Sequence, residues 1–255
     1  MVQPITFEYP INERNRTLLR LEHLFLLLQF HTRSESKAAS RSCITHLLEI
    51  SQVLGRADIK SELIKELERQ IKTLSVIRNT PGIDLSHLDA ILKKLTYAHK
   101  MLYQTHSQLG KEIREDEFMK SINQRSSIPG GSCAFDLPRY HLWLHQPAEQ
   151  RKKDIQKWRK TLLPASNAIA ILLKLIRESI TPSNETAKEG FFRQSLDTQS
   201  PVQIIRVSLP CDLAIYAEIS GSKHLFNISF MDKTNPAHII QTKNDINFQL
   251  TVCTL

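Results

Sequence analysis

Apolar and polar residues alternate at both ends of this chain and follow a helical period between them. Residues 5–9 alternate before Pro10, which predicts a short strand. From Asn12 onward, apolar residues recur three and four positions apart, as on one face of a helix. After Pro182 the alternation returns and predicts strands in four runs, 205–209, 213–219, 226–230 and 246–252. The pattern therefore predicts a strand, a series of helices and a set of strands.

Seven helical segments are predicted in the central part of the chain, including a short one that Asp136 and Pro138 start. Asn12, Asp58 and Asp84 precede three of them, and residues of these types cap helix N-termini with their side-chain oxygens. A further segment covers 109–122 and is expected to end near Arg125.

The last helical segment, which begins at Pro147, is the longest. Pro147 stands where the first turn of a helix tolerates proline, and Pro164 is expected to kink or split the helix. The apolar residues keep a spacing of three and four throughout, which is typical of helices in bundles and coiled coils. Two interpretations stay open: an ordinary bundle helix, or a helix that pairs with its own copy in a dimer.

Two isolated strands decide the predicted architecture. The N-terminal strand and a short alternation near 128–136 have no strand neighbours in sequence, and a lone strand cannot satisfy its backbone hydrogen-bonding groups. We therefore expect both to join the C-terminal sheet. The predicted fold class is α+β. A helical bundle domain covers 11–182, with the insertion near 128–136 reaching the sheet, and a small antiparallel β domain covers 1–10 and 183–255.

The connections within the β domain are predicted from composition. Residues 183–200 are polar and irregular and are expected to be a loop or linker. The run Ser220-Gly221-Ser222-Lys223 is typical of a tight hairpin turn. The alternating runs around these connections predict an antiparallel sheet with one face toward solvent.

Composition limits the class of protein without identifying it. The chain has 255 residues, 41% of them hydrophobic and 24% charged, which is typical of a globular protein. A formal net charge of +8 favours anionic partners. The four cysteines form no CxxC pair, and no apolar run is long enough to span a bilayer. With no signal sequence at the start, we expect a cytoplasmic protein with reduced thiols and no membrane partner.

The chain offers few candidates for catalysis. His141 and His145 are spaced like a metal-binding pair, with Cys133 nearby, but no further ligand stands at metal spacing. Cys133 and His141 could form a nucleophile pair, although a thiol in such a pattern is more often buried. Gly130-Gly131 lacks the lysine of a phosphate loop. We predict no catalytic residue, no metal and no cofactor, and therefore no enzyme.

Basic residues form two notable groups. Arg16 and Arg20 are one turn apart on the first helix and share a face. The densest run contains six cations between Arg151 and Lys160. A solvated helix face is the favoured interpretation of that run, and binding of nucleic acid is the alternative, without a helix-turn-helix or zinc-finger spacing to support it.

Three irregular segments carry a resemblance to a known family. The first is 7–22, Phe-Glu-Tyr-Pro-Ile-Asn-Glu-Arg-Asn-Arg-Thr-Leu-Leu-Arg-Leu-Glu. The second is 61–70, with Pro-Gly-Ile-Asp at 81–84 after it. The third runs from 127 to 145 and includes Ile-Pro-Gly-Gly, Phe-Asp-Leu-Pro and His-Leu-Trp-Leu-His. Together with a weaker match at 219–223, they make the chain resemble the ZapD family of bacterial cell-division proteins over nearly its whole length.

The resemblance implies a non-enzymatic division factor. Proteins of this family are homodimers with a helical and a β domain. They bind the C-terminal tail of the tubulin-like GTPase FtsZ, cross-link and bundle its filaments and promote assembly of the Z-ring at mid-cell, and the GTPase activity of FtsZ falls. We expect the same partner, dimer and division-site location for this chain. A basic nucleic-acid-binding protein that uses the run at 151–160 is the alternative function.

The resemblance also implies a basic tail-binding pocket near the domain junction. Arg20, Arg56 and His141 match basic positions of that pocket. Arg16 lies beside Arg20, and Lys223 adds a cation on the β domain, so the expected tail-binding set is Arg16, Arg20, Arg56, His141 and Lys223. The chain departs from the family pattern at Glu117, Leu225 and Ser229, which stand where basic side chains would be expected.

Overall fold

The computed structural model describes residues 4–56, 58–78, 80, 82–197, 201–233 and 240–254. The chain divides into two units. Residues 1–19 and 173–255 form one, here called the sheet unit, and residues 20–172 form the other, here called the helical unit.

Within the described residues the chain forms helices separated by short turns. They are α1 (Glu13–His31), α2 (Lys37–Leu54), α3 (Ile59–Ile77), α4 (Leu85–Gln104), α5 (Lys111–Glu115), α6 (Glu117–Ser126), α7 (Pro138–His145) and α8 (Ala148–Arg177). The fold class is α+β, as the sequence predicted.

The helix starts follow the capping chemistry of the sequence in two of three cases. The Asn12 side chain accepts a hydrogen bond from the backbone N of Asn15 at 2.8 Å. Asp84 accepts from the backbone N atoms of Ser86 and His87. Asp58 precedes α3 but makes no side-chain cap bond.

One expectation about helix continuity was wrong, and one of the two alternatives for Pro164 is excluded. The segment expected at 109–122 is divided into α5 and α6, because Asp116 ends one and caps the other by accepting from the backbone N of Met119 at 3.0 Å. Conversely, α8 is one helix of 30 residues and Pro164 lies inside it without splitting it.

The sheet unit is built from antiparallel strands. They are β1 (Ile5–Pro10), β2 (Ser183–Ala187), β3 (Phe191–Ser195), β4 (Val202–Leu209), β5 (Ile215–Gly221), β6 (Leu225–Asp232), β7 (Ile240–Gln241) and β8 (Ile246–Thr254). One sheet has the order β1-β4-β8-β2, and the other has the order β3-β6-β5 with β7 paired to β6. The N-terminal strand joins a sheet as predicted, with Phe7 opposite Val207.

Both sheets contribute side chains to one apolar core. The alternating runs turn every second residue inward, so the predicted apolar positions become the core. Phe226, Ile228 and Phe230 come from one sheet, and Val207 and Phe248 come from the other. The expected single sheet is therefore two sheets with a shared interior.

Residues 183–195 form strands, so the loop predicted there was wrong. Both are edge strands: β2 pairs only with β8, and β3 pairs with β6 among the described residues. Most side chains of the two strands are exposed, and only Ala187 and Phe192 reach the apolar core. Polar composition therefore concealed them. Residues 198–200 of the predicted loop lie outside the described residues.

The strand predicted near 128–136 does not form. Residues 127–136 are consecutive turns, and the backbone N of Gly131 donates to Ile128 O at 2.9 Å. Gly130 has φ of 71°, a left-handed conformation that interrupts a strand. A Cβ on Gly131 would lie 2.4 Å from the carbonyl oxygen of Arg125. The glycines fold this segment back onto the end of α6, so it cannot reach a sheet as an extended strand.

No helix among the described residues has the length and apolar character needed to cross a membrane.

Candidate functional site

The sheet unit places one of the expected tail-binding cations over an aromatic side chain and carries another on a turn next to a strand residue that this side chain contacts. The Arg16 guanidinium lies over the Tyr9 ring, 5.7 Å from its centroid. The Tyr9 hydroxyl donates to the carbonyl oxygen of Gly221 at 3.4 Å. Gly221 leads into the β5–β6 turn, which a hydrogen bond from Ser222 N to Leu225 O closes at 2.8 Å and which carries the exposed Lys223. We call Tyr9, Arg16 and Lys223 the sheet-unit basic cluster.

The β5–β6 hairpin packs closely against the link between β1 and α1, which explains why residue 221 is glycine. A Cβ there would lie 2.9 Å from Phe226 Cβ and 3.3 Å from Ile11 Cδ1. Ile11 belongs to the short link between β1 and α1, so the turn and this link pack against each other. The sequence identified Gly221 only as a turn residue and did not identify Tyr9 at all. Tyr9 could have been predicted as a site residue from its inward position at the end of the N-terminal strand, next to the helix that carries Arg16.

Arg16 is partly engaged within its own helix, whereas Arg20 is free. The Arg16 Nε donates to Glu13 Oε1 at 3.1 Å, and the Glu13 side chain is 85% exposed, so this ion pair restrains Arg16 only weakly. Arg20 follows one turn later on α1, is exposed, and makes no ion pair with the residues that the structure describes. Arg14, by contrast, donates to Gln203 Oε1 at 3.1 Å and holds α1 to β4.

The helical unit carries Arg56 and His141 at separate places. Arg56 is exposed in the turn after α2, and its backbone N donates to Val53 O. His141 is exposed on α7, and its ring centroid lies 4.4 Å from that of His145. Arg41, near the start of α2, lies over Tyr140. Leu54, the last residue of α2, is thirteen residues beyond Arg41, about 20 Å along the helix axis. Arg56 therefore follows the end of α2 opposite to the Arg41–Tyr140 contact, which lies next to His141.

The aromatic residues of the third motif belong mostly to the helical core. Phe118 stacks on Trp158 with centroids 5.8 Å apart, and Tyr140 and Trp143 pack around them. Both indole N–H groups are satisfied, Trp143 by Asp154 at 2.9 Å and Trp158 by Asp116 at 3.3 Å. His141 and His145 remain on the exposed side of α7.

The cysteines divide between core and surface. Cys133 is exposed, contrary to the expectation of a buried thiol, because its segment is a series of turns and not a strand. Cys43 and Cys253 are buried, and burial raises the pKa of each thiol to about 11. Within the described ranges, no three His, Cys, Asp or Glu side chains come together as metal ligands.

The basic run on α8 is not a uniform solvated face. Arg151 is only 5% exposed and donates to Ser40 Oγ and to the carbonyl oxygens of Glu35, Leu144 and Gln146. Lys152 is paired with the Glu35 carboxylate at 2.8 Å. The exposed cations that remain are Lys153, Lys157 and Lys160.

Similarity to known proteins identifies the class of this chain. The family model described as "ZapD: Cell division protein" matches residues 19–229. The chain therefore belongs to the ZapD family of cell division proteins, as the sequence motifs indicated. Among individual relatives, "Cell division protein ZapD" of Methylococcus capsulatus is 39% identical over 255 residues, which covers all of both chains. A role in cell division follows from this membership.

Proposed function

We propose that this protein binds the C-terminal tail of FtsZ, and that its homodimer cross-links and bundles FtsZ filaments. In this role it promotes assembly of the Z-ring at mid-cell, in the cytoplasm, and lowers the GTPase activity of FtsZ. It acts as a binding protein and not as an enzyme.

The observation that carries the proposal is the sheet-unit basic cluster in a chain of this family. Arg16 offers a guanidinium already stacked on Tyr9, and Lys223 offers an ammonium on the neighbouring turn. A tail with acidic and apolar residues would pair its carboxylates with these cations and lay an apolar side chain against the aromatic ring. Arg20 extends the row of cations by one helical turn.

Arg56 and His141 are further anchors in this proposal. Both are exposed, and both stand at positions that the family motifs associate with tail binding. Arg56 follows the end of α2 opposite to the Arg41–Tyr140 contact, and His141 is the neighbour of Tyr140, so we expect the two to contact different parts of the tail.

Weak contacts become effective when they are duplicated. A two-fold dimer presents the same binding surface twice. The second contact with a filament then forms at the high effective concentration that the first contact creates. A single contact in the micromolar range, about 8 kcal/mol, is enough for bundling under this arrangement.

The first experiment is a titration of an FtsZ tail peptide. We expect Arg20→Glu to weaken binding by about tenfold, since charge-assisted hydrogen bonds of this kind are worth about 1.5 kcal/mol or more. Lys93→Glu on α4 is the matched control, because it makes the same charge change on another exposed helix face. Analytical ultracentrifugation should show the same dimer for both variants. Unchanged peptide affinity of Arg20→Glu would contradict the assignment.

The second experiment tests bundling against the alternative function. Polymerised FtsZ should sediment at low speed with this protein, and the effect should weaken as salt screens the ionic contacts. Binding to duplex DNA without any sedimentation of FtsZ would instead support the basic run on α8 as the functional surface. A variant with Lys153, Lys157 and Lys160 changed to Glu separates the two, since it should bundle FtsZ normally.

A further inference from the structure

The helical unit contains a groove that none of the five proposed tail-binding residues lines. Its volume is about 450 Å³. The apolar floor is formed by Leu48, Ile122, Leu137 and the Tyr140 ring, and all four are buried. Residues of α2, the end of α6 and the turn segment at 126–132 form its walls.

The turn segment gives the groove a defined wall. Successive hydrogen bonds close it, including Gly131 N to Ile128 O at 2.9 Å and Cys133 N to Gly130 O at 3.0 Å. Gly131 lies so close to the carbonyl of Arg125 that a side chain cannot be accommodated. The wall is therefore held against α6 by backbone contacts, and the groove is preformed, as is usual for ligand sites.

Hydrogen-bond donors line the groove beside its apolar floor. Arg41 donates one N–H to Ser132 Oγ at 3.2 Å, and its guanidinium lies over the Tyr140 ring, 5.3 Å from the centroid. The remaining N–H groups of Arg41 have no acceptor among the described residues. Within the same part of the chain, the Tyr140 hydroxyl has no hydrogen-bond partner. A tyrosine hydroxyl is protonated at neutral pH and can donate, and burial raises the pKa of Tyr140 further, to about 12.

The charge at the rim favours an anion. Arg125 lies 3.9 Å from the Asp136 carboxylate, which is too long for a hydrogen bond and leaves its donors available. Glu49 is the one opposing charge in the lining, against the two cations Arg41 and Arg125, and its carboxylate lies 3.4 Å from a ring nitrogen of His46. Two guanidiniums at the edges of an apolar floor are complementary to carboxylates that flank an apolar side chain.

We propose that this groove binds a short peptide segment in which acidic and apolar residues alternate. One carboxylate accepts from Arg41 and the Tyr140 hydroxyl, the next apolar side chain packs on Leu48, Ile122 and Leu137, and a second carboxylate pairs with Arg125. The segment comes from another protein, and the groove is a binding site separate from the sheet-unit basic cluster. This inference does not depend on the proposed binding of FtsZ.

The test uses the full chain and two fluorescein-labelled peptides. The first is Gly-Glu-Leu-Glu-Ile-Gly, and the second replaces both Glu with Gln. Fluorescence anisotropy should show saturable binding of the acidic peptide and about tenfold weaker binding of the Gln peptide, because charge-assisted hydrogen bonds are roughly twice as strong as neutral ones. This comparison requires no variant of the protein.

Variants then locate the site. We expect Arg41→Gln to weaken binding of the acidic peptide by about tenfold and Tyr140→Phe, which removes only the hydroxyl, by about threefold. Lys93→Gln is the control for a lost surface cation and should bind normally. Arg41→Gln should still sediment FtsZ filaments, which separates this site from the proposed function.

Four outcomes would overturn the proposal. The first is equal affinity of the protein for both peptides, and the second is equal affinity of Arg41→Gln and the unchanged protein for the acidic peptide. The third is full displacement of the peptide by inorganic phosphate at concentrations similar to the peptide's own dissociation constant, which would mean that the groove is a simple anion site. The fourth is loss of dimerisation in Arg41→Gln without peptide binding, which would mean that a second copy of the chain covers the groove.

Discussion

Glu8 in the sheet unit and Arg151 in the helical unit are two largely buried charges, and the protein stabilises them in different ways. In the sheet unit, Glu8 on β1 is 19% exposed and is bound by Arg177 at 2.7 and 2.8 Å and by Arg206 at 2.8 Å. In the helical unit, Arg151 is bound by a hydroxyl and three backbone carbonyls. The first is an ionic cluster of opposite charges, and the second is a cation held by neutral dipoles.

The difference decides how each of these two buried charges responds to acid. Burial alone would raise the pKa of Glu8, but the hydrogen bonds and charges of Arg177 and Arg206 outweigh it and hold this pKa below its ordinary value. Protonating Glu8 leaves two guanidiniums without their anion. The acceptors of Arg151 do not titrate, and a guanidinium keeps its charge in proteins. The comparison teaches that the buried charge of Glu8 is sensitive to low pH, whereas that of Arg151 is not.

The largest effect is expected from Arg151→Met. The change keeps much of the side-chain volume but removes every donor, so three carbonyls and the Ser40 hydroxyl lose a partner. We expect a loss of about 3 kcal/mol in the free energy of unfolding, since each buried group left unsatisfied costs about 1 kcal/mol or more. Urea unfolding followed by circular dichroism measures it.

Lys153→Met is the control for Arg151→Met, because Lys153 is an exposed cation on the same helix. Its effect should stay within about 0.5 kcal/mol. A loss below about 1 kcal/mol for Arg151→Met would show that its acceptors find other donors or water, and it would remove the contrast with Glu8.

The next effect is expected from Glu8→Gln at neutral pH. Removal of one partner from a fully buried ion pair costs 3 to 5 kcal/mol, and because Glu8 is partly exposed we expect about 2 kcal/mol. Glu13→Gln removes another glutamate that pairs with arginine, but its side chain is 85% exposed, and it should cost less than about 0.5 kcal/mol. Equal losses from the two variants would contradict the burial argument.

The pH dependence sharpens the comparison further. A carboxyl with a lowered pKa stabilises the folded state fully above its unfolded pKa, ordinarily 4.5, and the contribution is lost as pH falls through the folded pKa. The difference in unfolding free energy between the unchanged protein and Glu8→Gln should therefore shrink below that pH. The difference for Arg151→Met should stay constant over the same range. A constant difference for Glu8→Gln would mean that its charge contributes nothing.

The smallest effect is expected from Ser36→Ala. Ser36 caps α2 by accepting from the backbone N of Ala39 at 3.0 Å, and loss of such a cap costs about 1 kcal/mol. Because Arg151 binds Glu35 and Ser40 on either side of this cap, the double variant with Arg151→Met should cost less than the sum of the two changes. Strict additivity in a double-mutant cycle would show that the cap and the buried cation act independently.

The sequence correctly predicted the elements in which the local apolar pattern matches the residues that are buried in the fold. The alternation at 205–209 and 226–230 became central strands because both contribute inward apolar residues to one core. Asn12 became a helix cap because a capping bond spans only three residues. Such interactions are local, so the residues that make them are visible as neighbours in the sequence.

The sequence-based predictions were wrong or incomplete where contacts between residues distant in sequence determine the structure. β2 and β3 have little apolar pattern, and they are strands because β8 and β6 supply their hydrogen bonds. The Pro-Gly-Gly segment resembles a strand in its alternation, but close packing of Gly131 on Arg125 makes it a wall of turns. In the candidate sites, Arg16 was predicted, whereas its contact with Tyr9 and the groove around Arg41 were not.

By itself, then, the sequence determined the α+β class, the main helices and central strands, the family and the supply of exposed cations. Only the tertiary structure decided which cations are exposed and able to bind a partner, because folding places some of them against residues that are distant in sequence. Arg151 lies in the densest basic run and binds carbonyls before α2 and at the end of α7, whereas Arg20 has no such partners among the described residues. The sequence shows which charged side chains the protein has. Residues far away in sequence determine which of these side chains are buried and which stay exposed and able to bind a partner.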